Sequence, residues 1–376
     1  MYKEYDNPMR RQIYSIEALI QTVFKEIEKN TRKIITTPEI YSLKEVIITG
    51  CGDSYCAALA AKEAWKQLTG LSVQVLPALE LARTYPKEAM GRMPNNPLVI
   101  GISNSGRVTR VVEAVARARQ AGALTLALTS GGDSPLAKEA ERTALLTSPE
   151  FEKGPGVRNY VVSMTALYLL AIRFGEVLGK YTMDTAGDYR KKLLSSVEGL
   201  SESLERQEEM VFKLAEKSRD INSVEILAQS ENFGCSVFLQ QKAYEAVGIP
   251  CVYGDSESWF HANKFLRDFS HTLTLVYLSK WDPGKSRMLE AMKRMDYMGR
   301  EYVVVTDDTE WKQGNVLSYP QVSDKRFVPM VDYAVCSLLI SYLTELKGEV
   351  YSRGFQYPFC DAPGIPGTVS SEMEIV

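Results

Sequence analysis

Short apolar runs, each closed by a turn of small residues, set the pattern of this chain. Val46-Ile47-Ile48-Thr49 and Leu98-Val99-Ile100-Gly101-Ile102 are continuous rather than alternating, and each gives way to glycine and serine before a helical pattern begins. Runs of this kind predict strands buried on both faces. Val111 through Gly122 continues with helical periodicity and stops at a glycine, and Ala123 through Leu128 supplies a third strand. Strand, turn, helix and strand in this order predict a parallel sheet covered by helices.

The same order recurs downstream. Glu225-Ile226-Leu227-Ala228 leads into Ser230 through Gly234 as Ile47-Ile48 leads into Gly52 through Cys56. The segment from Glu290 to Gly299, followed by Tyr302 through Thr306, echoes Glu113 to Gly122 and the strand behind it. The offsets are nearly one value, 178 residues from Gly52 to Ser230 and 177 from Gly122 to Gly299. Two blocks at one offset predict a duplicated lobe. The fold class expected is α/β, with two tandem lobes, each a parallel sheet flanked by helices in a flavodoxin-like three-layer sandwich. The expected boundaries are an N-terminal segment over 1–25, a first lobe over 26–181, a helical connector over 182–223, a second lobe over 224–350 and a tail over 351–376.

Composition narrows the function. With 376 residues, 45% of them hydrophobic, the chain suits two globular lobes. A net charge of −3 gives no broad attraction to nucleic acid or to an anionic membrane, so an anion site must be local. The six cysteines are scattered without a C-x-x-C pair, which predicts neither a zinc site nor a disulfide framework. No apolar run reaches about 18 residues, and the start of the chain is polar, unlike a signal peptide. The cytoplasm is the compartment expected.

The candidate chemistry starts at two turns of the first lobe. Ser103-Asn104-Ser105-Gly106 follows a buried strand and opens toward a helix, where unpaired backbone N–H groups favour an anion. Ser103 and Ser105 add hydroxyl donors, and Gly106 lets backbone approach a phosphate without a Cβ in the way. Gly50 through Ser54, with Gly52, Asp53 and Ser54, makes a second such turn. Neighbouring strand ends of a parallel sheet form the crevice where ligands sit. Serines that merely cap helices are the plainer alternative for either turn alone. The matching turns of the second lobe, Ala228 to Asn232 and Leu278 to Asp282, lack the glycine–serine character.

These residues resemble the sugar isomerase (SIS) family. Ser103-Asn104-Ser105-Gly106 is similar to its S-x-S-G phosphate loop, and Gly50 through Tyr55 to its second glycine–serine turn. From Pro8 into the tail the chain resembles the two-lobed isomerase half of glucosamine-6-phosphate synthases and the related fructosamine-6-phosphate deglycases. The resemblance implies a catalytic glutamate at Glu245 and a histidine sixteen residues on, at His261, one of only two histidines in the chain. It implies sugar-phosphate binding, a homodimer, and no metal or cofactor. Some positions depart from the family pattern. Val108 stands where a Ser or Thr is usual, with Thr109 beside it, and Ala262-Asn263 replaces the Gly-Pro that commonly follows the histidine. The tail from Gly364 to Val376 has no lysine to form the synthase's Schiff base. The resemblance starts at the isomerase half, so no glutaminase domain is expected.

Aldose–ketose interconversion removes a proton from one carbon and returns it to the next. A carboxylate does this well when partial burial favours its protonated form. Glu245 is the candidate for that shuttle. His261 is the candidate for opening the sugar ring or protonating an enol oxygen, roles that suit an imidazole. A chain without the Schiff-base lysine favours substrates that already carry nitrogen, and Glu231-Asn232-Phe233-Gly234 resembles a deglycase turn. The first expectation is therefore a fructosamine-6-phosphate deglycase, which releases glucose 6-phosphate and an amine. An amino-sugar-phosphate isomerase or deaminase is the second, and a non-catalytic sugar-phosphate sensor the third. No helix-turn-helix precedes the first lobe, which disfavours a transcriptional regulator. Arg158 and the Trp259 region are candidates for substrate specificity.

Overall fold

A computed structural model describes residues 2–91 and 97–376, which form two compact units. One unit comprises Ala18–Glu150, Arg158–Leu194 and Asp361–Val376. Its sheet contains β1 (Glu45–Gly50), β2 (Ser72–Pro77), β3 (Leu98–Ile102), β4 (Leu124–Thr129) and β5 (Arg142–Leu145), all parallel, in the order β2-β1-β3-β4-β5. The central strands β3 and β4 are buried at every position, which is why they read as unbroken apolar runs. Helices Asp53–Thr69 and Arg158–Val177 pack together, and the Tyr168 hydroxyl of the second donates to the Ala60 carbonyl of the first at 3.4 Å. Trp65 meets Phe174 edge-on, with ring centroids 5.2 Å apart. Ile47 and Val99 pack against Ala114 and Ala118 of the helix Thr109–Gln120.

The other unit comprises Met1–Glu17, Phe151–Val157 and Ser195–Cys360. It holds β6 (Ser223–Leu227), β7 (Cys251–Gly254), β8 (Thr272–Tyr277), β9 (Val303–Thr306) and β10 (Asn315–Ser318), again all parallel, in the order β10-β9-β8-β6-β7. Taken in chain order, the two sheets have the same strand arrangement, with the first strand between the second and the third. A methionine-rich helix, Lys285–Met298, lays Met288, Met292 and Met295 against Trp259, Val276 and Val304. Beneath the sheet, buried Glu208 accepts from Arg10 Nε at 2.7 Å and from the Tyr342 hydroxyl at 2.7 Å.

Two helical segments, Arg158–Val177 and Lys325–Leu346, are long and apolar enough to cross a membrane, although the sequence reading found no apolar run of that length. The apolar stretches of both are largely buried inside the protein, 83% and 100% respectively, as core helices are.

Candidate functional site

The two glycine–serine turns meet because their strands do. β1 pairs with β3 in parallel, with Gly50 opposite Ile102, so the Gly50–Ser54 and Ser103–Gly106 turns leave adjacent strand ends. The chain runs from β1 to β2 on one side and then to β3 on the other, so this point is the topological switch where open parallel sheets bind ligands.

The Ser103–Gly106 turn is held from below. The Ser103 amide donates to the Leu128 carbonyl at 3.1 Å, and the Asn104 carbonyl accepts from the amide and hydroxyl of Ser130, at 2.9 and 2.7 Å. Gly106 has φ +63°, and a Cβ there would fall 2.1 Å from Ser134 Oγ, so both conformation and space require glycine. Ser103 is 3% exposed, and its hydroxyl has no hydrogen-bond partner. A buried hydroxyl left unpaired is disfavoured unless a ligand completes it. Ser105 is exposed and accepts from the Arg107 amide at 3.3 Å.

The second turn is a helix start. Gly52, with φ +56°, precedes Asp53 as the helix Asp53–Thr69 begins, and its carbonyl accepts from the amides of Tyr55 and Cys56 at 3.0 and 3.1 Å. Asp53 and Ser54 are partly buried. Thr109 opens the helix Thr109–Gln120, and its backbone N–H donates to the Thr368 carbonyl at 3.0 Å, so the tail reaches this helix terminus. Arg110 bonds the same tail at Ser371 Oγ, 3.2 Å away. Arg158 is buried at the start of its helix, donates to the Pro149 carbonyl at 3.2 Å, and burial pulls its guanidinium below the usual range.

In the other unit the corresponding crevice is filled by side chains. Asp282 accepts from Gln229 Nε2 at 2.7 Å, from Ser230 Oγ at 2.8 Å and from the Gly284 amide at 2.8 Å. A protein carboxylate thus occupies the end of β6 and β8, where the first sheet presents hydroxyls and amides.

Glu245 lies in a turn of π-helix, Ala243–Val247, that continues the helix Phe233–Lys242 and ends at Gly248. Such widened turns recur at functional sites. Its Oε2 accepts from Lys242 Nζ at 2.7 Å. The lysine side chain is 1% exposed and the glutamate 47%, so the carboxylate has a buried cation on one side and solvent on the other. The sequence motif gives Lys242 no role, and the signal for one is its place three residues before Glu245 on one helix face. His261 ends the short helix Ser256–His261, which Asp255 caps through the Ser258 amide at 2.8 Å. Its ring is 77% exposed, and Nε2 lies 2.9 Å from Glu257 Oε1, while Glu257 also takes Arg287 Nε at 2.7 Å. Glu245 and His261 therefore have different partners.

Residues 39–173 match the SIS domain family. Over 222 residues the chain is 29% identical to a glutamine–fructose-6-phosphate aminotransferase (isomerizing) of Thermococcus kodakarensis, covering 57% of this chain and 35% of that protein. The Thermotoga maritima protein of the same name is 21% identical over 345 residues, covering 88% of this chain and 54% of its own length. The chain thus spans about a third to a half of the length of these relatives. In fold it is similar to the C-terminal domain of glucosamine-fructose-6-phosphate aminotransferase from Francisella tularensis, with a TM-score of 0.78 and 15% identity over 93% of this chain and 99% of that one.

Proposed function

We propose that this chain, whose residues 39–173 match the SIS domain family, is a sugar-phosphate enzyme of the aldose–ketose isomerase type, and specifically a fructosamine-6-phosphate deglycase. The observation that carries the reading is the Ser103 hydroxyl, buried without a partner in a turn of donors at the switch point of a parallel sheet. A phosphate oxygen completes that hydroxyl. Ser103 and Ser105 hold the phosphate with backbone amides, and Gly52, Asp53, Ser54 and Thr109 border it. Anchoring the remote phosphate gives the binding energy that orients the reacting carbons.

Glu245 then takes a proton from C1 of the open-chain fructosamine, the carbon that bears nitrogen. The C1–H electrons form the C1–C2 double bond, and the carbonyl oxygen at C2 gains a proton. Returning the proton to C2 gives an imine at C1. Water adds to that carbon, the C1–N bond breaks, and glucose 6-phosphate and the free amine leave. Lys242 holds the Glu245 carboxylate in place, and His261 handles the proton at the sugar oxygen. The nitrogen brought by the substrate supports this order of events, since it forms the imine at C1 without a Schiff base from the protein.

The test is a panel of 6-phosphofructosamines incubated with the protein while glucose 6-phosphate is followed. Release from at least one adduct is expected, with unphosphorylated fructosamines inert. Turnover of glucosamine 6-phosphate alone replaces the reading with a deaminase, and binding without turnover of any substrate replaces it with a sensor.

A further inference from the structure

A recess of about 600 Å³ opens directly beside Glu245, within one unit of the protein. Its walls are Tyr244, Tyr351, Arg353, Phe355 and Phe359, with Glu245 at the edge. We propose that this recess is a subsite for the group carried on the substrate's nitrogen, and that it selects an aromatic or large apolar group. The inference rests on the deglycase reading, because it places the nitrogen on the carbon from which Glu245 takes its proton. Whatever the nitrogen carries must then run into the space next to that carboxylate.

The walls define what fits. Tyr351 is fixed by its hydroxyl, which donates to the Ser341 carbonyl at 2.6 Å, so its ring cannot swing away. Tyr244, Phe355 and Phe359 are 50%, 69% and 64% exposed, which leaves aromatic surface wet until something covers it. The charges in the recess are already matched. Glu245 is paired with Lys242, and Arg353 with Glu349. Arg353 is also held over Gly248, whose φ of +76° and missing Cβ make room for the guanidinium. A charged substituent would lose hydration, and the cation beside the ring faces, Lys153, already lies over the Phe355 ring at 5.8 Å, whereas a neutral ring gains contact on several sides.

The test uses three 6-phosphofructosamines that differ only in the amine, made from methylamine, phenethylamine and aspartate. In the wild-type protein, kcat/KM for the phenethylamine adduct is expected to exceed that for the methylamine adduct by about tenfold or more, with the aspartate adduct lowest. Phe359→Ser should bring the phenethylamine-to-methylamine ratio down toward one, and Tyr244→Ser supplies a second variant on a different element. Equal efficiency for all three adducts, or a ratio that survives both substitutions, overturns the subsite while leaving the deglycase reading intact. Turnover of none of them overturns the reading itself and the subsite with it. Loss of self-association with an unchanged ratio assigns these aromatics to a contact between copies of the chain and also overturns the subsite.

Discussion

Lys242 donates to Glu245 across 2.7 Å, from a buried ammonium to a carboxylate whose other side faces solvent. The pair explains how a half-exposed glutamate can be held in one orientation, since a buried cation is strongly disfavoured without such a partner. Glu245→Gln keeps an oxygen for Lys242 but cannot accept a proton. Its kcat should fall by about 10²-fold or more, as for loss of a positioned general base, while sugar-phosphate affinity changes little. Wild-type turnover in D₂O should place deuterium on the reacting carbon, and the variant should show neither turnover nor exchange. A variant that keeps most of its kcat makes Glu245 a structural residue.

Ser103 and Ser105 should respond differently to alanine. Ser105 is exposed and gains little from its 3.3 Å contact with the Arg107 amide, so its removal should weaken phosphate binding by about 1 kcal/mol with little effect on the free protein. Ser103 buries an unpaired hydroxyl, so Ser103→Ala should leave the free protein as stable as before or more so, yet reduce the stabilisation by sugar phosphate. Melting curves with and without glucose 6-phosphate, and with glucose as the control, separate the two effects. Equal stabilisation by glucose would remove the phosphate assignment.

The legible parts of the sequence were those where one physical demand dominated. The strands β1, β3, β4, β6 and β9 were readable because burial leaves little but Val, Ile, Leu and small residues in them. β2, β5, β7 and β10 were not. Each is an outermost strand with mixed burial, so polar and apolar residues follow no clear period. β8 is as buried as the central strands, yet only the turn after it was noted. At the site, Ser103 and Gly106 were visible as a motif, but their supports were not. Ser130 bonds Asn104, Ser134 lies against Gly106 and Thr368 bonds Thr109, each from 26 or more positions away, and only pairing of strands or return of the tail brings them there. His261 was identified by its spacing from Glu245, and spacing carries no information about its exposed ring or its bond to Glu257.

Asp332 provides a pH test of the second sheet's interior. It is fully buried, accepts from Asn232 Nδ2 at 2.8 Å, and burial pushes its carboxyl up to about 8. A carboxyl raised on folding binds its proton more tightly in the folded state, so its contribution is full below the unfolded value, near 4. It is lost as pH rises toward 8. Glu225, also raised by burial, acts in the same direction. Asp332→Asn keeps an oxygen for Asn232 and cannot ionise. Its melting temperature should exceed that of the wild type increasingly between about pH 4 and pH 8, with the two curves converging at the acid end. Parallel curves over that range would show that Asp332 does not titrate there.

His261 presents a different problem, since a ring 77% exposed and bonded, among the described residues, to surface Glu257 is poorly placed to protonate a sugar oxygen in an isolated chain. A homodimer in which one copy's His261 serves the other copy's substrate would resolve this, and the resemblance to two-lobed isomerases implies such a dimer. Sedimentation should then give twice the chain mass. Inactive Glu245→Gln and inactive His261→Ala proteins, mixed after mild dissociation, should recover activity, because a mixed dimer contains one site built entirely from intact residues. With random reassociation half of the dimers are mixed and half of their sites are intact, so about a quarter of wild-type activity is expected. A monomer that is fully active, or a mixed dimer that stays silent, would place His261 and Glu245 in service of the same chain or leave the histidine outside the chemistry altogether.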